Sequence, residues 1–95
     1  MSNVVNKKDH KFNNDTDVYI GRPSIYGNPF NVSLYGRKGA IERYEIYARK
    51  RLLSSDIFRE KVKALQGKTL VCFCKPQACH GDVLVELANK LNEGG

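Results

Sequence analysis

The chain has 95 residues, enough for one domain but too few for a large core. Sixteen basic against ten acidic residues leave a net charge of +6, a balance that favours anionic partners. No apolar run approaches the roughly 20 residues that span a bilayer, and Met1 to Lys8 lack the apolar stretch of a signal peptide, so a membrane protein is excluded and a cytoplasmic one expected.

In chain order, Asn3–Asn6 reads as a short strand, followed by a polar stretch from Lys7 with a turn signal at Asn13-Asn14-Asp15. Residues 1–16 are expected to be irregular or partly disordered. Asp17–Gly21 has the β-branched and aromatic content of a second strand, and the two strands suggest an irregular hairpin. Arg22–Phe30 is a loop, because Pro23 and Pro29 rule out a continuous helix. Within it, Gly27 beside Asn28 suits a tight turn with positive φ. Asn31–Leu34 is read as briefly extended.

Ala40–Leu53 is predicted helical, with Ile41, Tyr44, Ala48 and Leu52 recurring on one face. Ser54-Ser55-Asp56 interrupts it and caps a second helix over Ile57–Leu65, with Ile57, Ala64 and Leu65 facing inward and Gly67 closing it. Thr69–Cys74 is apolar throughout, the pattern of a strand covered on both faces. A last helix over Gly81–Leu91 carries an apolar stripe of Val83, Leu84, Leu87, Ala88 and Leu91. The order β-β-α-α-β-α predicts a single small α/β domain over residues 1–95, with about three helices on a short mixed sheet of about three strands. Two loops then leave the C-terminal ends of strands, the edge where ligands of open α/β sheets sit.

The segment Cys72–Asp82 holds every cysteine of the chain and one of its two histidines. Three mechanisms fit it. In the first, the helix opening near Gly81 binds an anion, with Cys74, Lys75 and Asp82 beside it. Arg22, Ser24, Tyr26, Gly27 and Asn28 of the earlier loop would complete the pocket: arginine for a phosphate or carboxylate, tyrosine to stack on a ring, asparagine to read a polar edge. In the second, Cys79 is a thiol acidified at a helix start and acts with His80, whose tautomer Asp82 fixes, as an enzyme. The third is zinc held by Cys72, Cys74, Cys79 and His80, although Cys72 in an apolar strand also reads as a small buried hydrophobe. The spacing departs from the usual zinc knuckle, so no cofactor is the leading expectation. A Cys72–Cys74 bridge would distort the strand and is rejected.

The expected partner is a small anionic, nucleotide-like molecule. Nucleic acid is a weaker candidate through the basic middle of the chain, where Arg43 and Arg49 interleave with Tyr44 and Tyr47. The small core leaves a homodimer open.

Val18-Tyr19-Ile20-Gly21-Arg22-Pro23-Ser24, Gly27-Asn28-Pro29-Phe30 and the Cys72–Asp82 segment together resemble the bacterial and phage family catalogued as domain of unknown function 4326. The resemblance runs from Val18 to Leu91 and departs from the family at Tyr26, where tryptophan is common. It implies a shared site at Arg22, Pro23, Gly27, Asn28, Pro29, Cys74, Cys79, His80 and Asp82 without implying a reaction. It also implies a phage origin, hence host cytoplasm, and by analogy a role on host nucleotide signals.

Overall fold

Leu70, Val71 and Cys72 are almost wholly shielded from solvent, and the sheet is built around them. The computed structural model describes residues 3–22, 24–72 and 80–93. Its elements run β1 (Asn3–Asn6), β2 (Asp17–Tyr19), α1 (Val32–Ser54), α2 (Asp56–Lys63), β3 (Thr69–Cys72) and α3 (His80–Glu93). The α/β class and the element order agree with the sequence reading.

The sheet is wholly parallel rather than mixed. Strand order is β1-β3-β2, with Val4 and Val18 both opposite Leu70. The expected hairpin between the first two strands is therefore wrong. The most apolar strand takes the centre, where both its edges are hydrogen-bonded. The more polar strands, bearing Asn6 and Asp17, take the outside.

Side chains alternate across a strand, so Leu70 and Cys72 share one face with Val4 and Val18. This face meets the helices in a single apolar cluster that includes Ile20, Tyr44, Phe58, Val62, Leu84 and Leu87. Val71, with Val5 and Tyr19 beside it in register, lies on the opposite face.

Helix α1 starts earlier than its apolar periodicity suggests. Asn31, expected in an extended stretch, caps it by accepting the Ser33 N–H at 2.9 Å. Gly36, at φ 73°, then breaks the helical path once before the long run. The inward residues of α2 also differ from expectation. Leu65 is buried as expected, and Phe58 and Val62 with it, whereas Ile57 is 69 % exposed and Ala64 is exposed too. The reason lies in the cap: Ser55 accepts the Phe58 N–H, starting the helix at Asp56 and fixing which side faces α1 and α3.

The predicted turn before β2 is present and carries more than a turn. Asp17 is 6 % exposed; its carboxylate accepts from His10 Nε2 and the Asn13 N–H, both at 2.7 Å, and from the Thr16 hydroxyl at 3.1 Å. The Asn13 N–H and then the neighbouring side chains hold its pKa below the ordinary carboxylate value despite its burial. Asp17 therefore contributes stability at neutral pH that disappears as pH falls through its depressed value. Acid unfolding compared between wild type and Asp17→Asn should show this contribution as a steeper wild-type loss below the ordinary carboxylate range.

Candidate functional site

Because all three strands run the same way, their C-terminal ends share one edge of the sheet. Lys7 follows β1, Ile20-Gly21-Arg22 follows β2, and the segment entering α3 follows β3. This is the edge on which open parallel sheets place ligands.

His80 joins two of these exits. It opens α3, is only 7 % exposed, and has Nε2 2.7 Å from the Ile20 carbonyl. A carbonyl only accepts, so Nε2 carries the hydrogen and donates it, leaving Nδ1 as the acceptor of a neutral ring. Burial pushes the His80 pKa below its ordinary value; the Ile20 carbonyl and Asp82 oppose that shift, and the nearby Arg22 charge adds to it. The ring also stands edge-on to Tyr44, with centroids 5.0 Å apart.

Gly81 fits beside this joint for a steric reason. A Cβ there would lie 2.7 Å from Ile20 Cδ1 and 3.0 Å from Val4 Cγ1, so α3 approaches the sheet only with glycine at its start. The missing Cβ of Gly81 thus serves the packing of α3 on Ile20 and Val4.

The loop after β2 doubles back twice, through Ser24 N–H to Gly21 O at 2.9 Å and Gly27 N–H to Ser24 O at 3.0 Å. Gly27 is needed for closeness, not for positive φ: a Cβ would meet Arg22 Cγ at 2.9 Å and Arg22 Cα at 3.2 Å. Tyr26 is buried at 8 % exposure. Its hydroxyl donates to the Lys61 carbonyl at 3.2 Å, and its own carbonyl accepts from the buried Tyr44 hydroxyl at 2.8 Å. It is a core residue and not the exposed stacking platform expected. Burial also raises its pKa.

Asn28 is likewise turned to the scaffold, accepting the Phe30 N–H at 2.9 Å and donating to the Ala40 carbonyl at 3.4 Å. Arg22 and Asp82 are exposed. The Ser24 hydroxyl oxygen is buried without a hydrogen-bond partner among the described residues. What this edge exposes is thus the Arg22 guanidinium and the Asp82 carboxylate. His80, Gly81, Tyr26, Gly27 and Asn28 hold the frame.

Cys72, one of the proposed zinc ligands, lies in the apolar cluster on the helix side of the sheet. Pro23, Cys74, Lys75 and Cys79 lie outside the described residues. Two contributors at the same edge escaped the sequence reading. The Lys7 ammonium is 5.4 Å from the centre of the Tyr19 ring, and the Tyr19 hydroxyl donates to the Arg22 carbonyl at 3.2 Å. Their signal was register: with both outer strands parallel to β3, the residues that follow β1 and β2 come to the same edge of the sheet.

A short three-stranded parallel sheet whose Leu70 and Cys72 face packs against the helices defines a small α/β domain. The chain belongs to the family described as Domain of unknown function (DUF4326), which it matches over residues 4–90. It is 34 % identical over 82 residues to the "Uncharacterized 12.4 kDa protein in nrdA-td intergenic region" of Enterobacteria phage T4, an alignment covering 86 % of this chain and 76 % of the phage protein. No solved structure matched the chain. Among the described residues, no helix is long and apolar enough to cross a membrane.

Proposed function

We propose that this domain binds a small anionic, nucleotide-like molecule at the C-terminal edge of its sheet, between the Arg22–Phe30 loop and the start of α3. The observation that carries this reading is the His80–Ile20 hydrogen bond at 2.7 Å, which keeps exposed Arg22 beside the N-terminal end of α3. An arginine and the positive end of a helix dipole at one spot favour a phosphate or carboxylate. Asp82, exposed and close enough to influence His80, offers an acceptor for a sugar hydroxyl, which a bare inorganic anion lacks. The chain's +6 charge steers anions toward the protein generally. Similarity to a T4 protein supports a phage setting, where such a ligand would belong to the host cytoplasm.

Arg22→Ala tests the reading. Thermal-shift screening with inorganic phosphate and a panel of nucleoside monophosphates should raise the wild-type midpoint for at least one compound. The same compound should lose most of that shift with Arg22→Ala, since a charge-assisted hydrogen bond is worth about 1.5–3 kcal/mol. An undiminished shift in the variant would sink the assignment.

A further inference from the structure

We infer that the exposed side of α1 around Tyr35 and Arg43 is a docking surface for single-stranded nucleic acid. It uses other residues than the anion site at the sheet edge and stands or falls separately from it. Gly36, at φ 73°, bends the chain after the first turn of α1, with Tyr35 before the bend and Arg43 beyond it. On a straight helix, residues eight apart are separated by about 12 Å along the axis. Here the two side chains meet, with the Arg43 guanidinium carbon 4.3 Å from the centre of the Tyr35 ring. Gly39, midway between them, leaves the space. Even a Cβ there would touch both, 3.5 Å from Tyr35 Cβ and 3.6 Å from Arg43 Nη1.

The pair is held in place from behind. Phe30 stands edge-on to Tyr35 at 5.9 Å and to Tyr47 at 6.0 Å between ring centres. Tyr47 is in turn fixed by Arg51, whose Nη1 donates to its hydroxyl at 2.9 Å. The outer members stay in solvent: Tyr35 is 41 % exposed, and Arg43 is exposed as well. Among the described residues Arg43 makes no ion pair, whereas Arg49, Arg59 and Lys90 are each met by a carboxylate. Ile46, 58 % exposed, and exposed Lys50 continue the same side of the helix, at i+3 and i+7 from Arg43. From Tyr35 to Arg51 six basic residues outnumber two acidic ones, Glu42 and Glu45, and Glu45 is paired with Arg49.

Unpaired bases stack on aromatic rings and guanidinium planes while their phosphates seek cations; a duplex hides its base faces. A preset Arg43–Tyr35 stack beside apolar Ile46 and cationic Lys50 supplies both kinds of contact. An isolated phosphate would use only the cations. The rings and Ile46 select a partner with flat faces between its charges. The interleaving seen in the sequence set Arg43 beside Tyr44, but Tyr44 is buried and Tyr35 takes its place at the surface.

Fluorescence anisotropy with a labelled single-stranded DNA of about 12 nucleotides, its blunt duplex and the matching RNA strand tests this. Wild type should bind at least one of the single strands about tenfold more tightly than the duplex. Tyr35→Ala should weaken that binding about tenfold, and Arg43→Lys, which keeps the charge but not the flat plane, about fivefold. Lys50→Ala should lower the salt slope by about 0.7. Lys11→Ala, which removes one charge from the segment between β1 and β2, should leave affinity within about twofold. Circular dichroism melts check that the variants fold; if Tyr35→Ala does not, Arg43→Lys decides alone. Failure of wild type to bind either strand overturns the inference, as does a duplex bound as tightly as a single strand. Full affinity in Tyr35→Ala or Arg43→Lys overturns it too, because attraction to a basic protein at large would then suffice.

Discussion

His80→Ala is expected to lower unfolding free energy by about 2–4 kcal/mol, a large share of what a chain of 95 residues possesses. Two losses combine. The Ile20 carbonyl is left without its donor inside the protein, and removal of the ring opens a void against Tyr44. Chemical denaturation of wild type and variant measures the sum. His80→Gln, which restores an N–H donor but not the ring, should recover part of it. Equal stability of wild type and His80→Ala would mean that the imidazole is not the joint described.

The same residue predicts a pH dependence with a definite sign. Burial favours the neutral ring, so the unfolded chain takes up a proton more readily than the folded one. The stabilisation is complete above the ordinary value of 6.5 and is lost as pH falls from there toward the depressed folded value. Asp17 acts lower, through and below the carboxylate range. In His80→Gln the loss of stability just below pH 6.5 should flatten, while the later acid loss due to Asp17 persists.

Tyr44→Ala is expected to be more severe, about 3–5 kcal/mol, because a fully buried aromatic ring is removed from the middle of the apolar cluster. It should also loosen the candidate site, since the Tyr44 hydroxyl donates to the Tyr26 carbonyl and its ring packs against His80. Tyr44→Phe separates the two contributions. It keeps the ring and removes only the hydrogen bond, at a cost of about 1–2 kcal/mol. Thermal melts of the two variants check the ranking. A double-mutant cycle between Tyr44→Phe and His80→Gln should give a non-zero coupling, as expected for residues in contact.

Much of the architecture was legible in the residues. Apolar character across Thr69–Cys74 identified a covered strand, seen over Thr69–Cys72 with Phe73 and Cys74 outside the described residues, and the spacing of Tyr44, Ala48 and Leu52 identified the inner face of α1. The parallel run of β2 and β3 was legible from the long helical crossover between them, but the direction of β1 was not, because the composition of Asn3–Asn6 suits either pairing. That direction is decided by which strand β1 pairs with, a non-local matter. The face of α2 was misread for a local reason: an eight-residue helix holds too few turns for Ile57 and Phe58 to be ranked by periodicity.

The candidate site was legible as a set of polar and glycine positions but not as a division of labour. Asn28 and His80 carry hydrogen-bonding groups suited equally to a ligand or to a main-chain carbonyl, and only placement shows that Ala40 and Ile20 receive them. Gly27 was singled out for a positive φ, whereas what it needs is space, since a Cβ there would meet Arg22. Lys7 was hidden in a polar stretch whose value emerges only from the parallel register.

The central position of β3 has a consequence for how the molecule is made. Both outer strands are synthesised before α1 and α2, yet neither has a sheet partner until Thr69–Cys72 has left the ribosome. Nascent chains arrested before that point would therefore display two open edges and no sheet, and the α1–α2 pair would have no floor to settle on. Assembly is in this sense deferred until one short segment, made after α1 and α2, closes both long-range pairings at once.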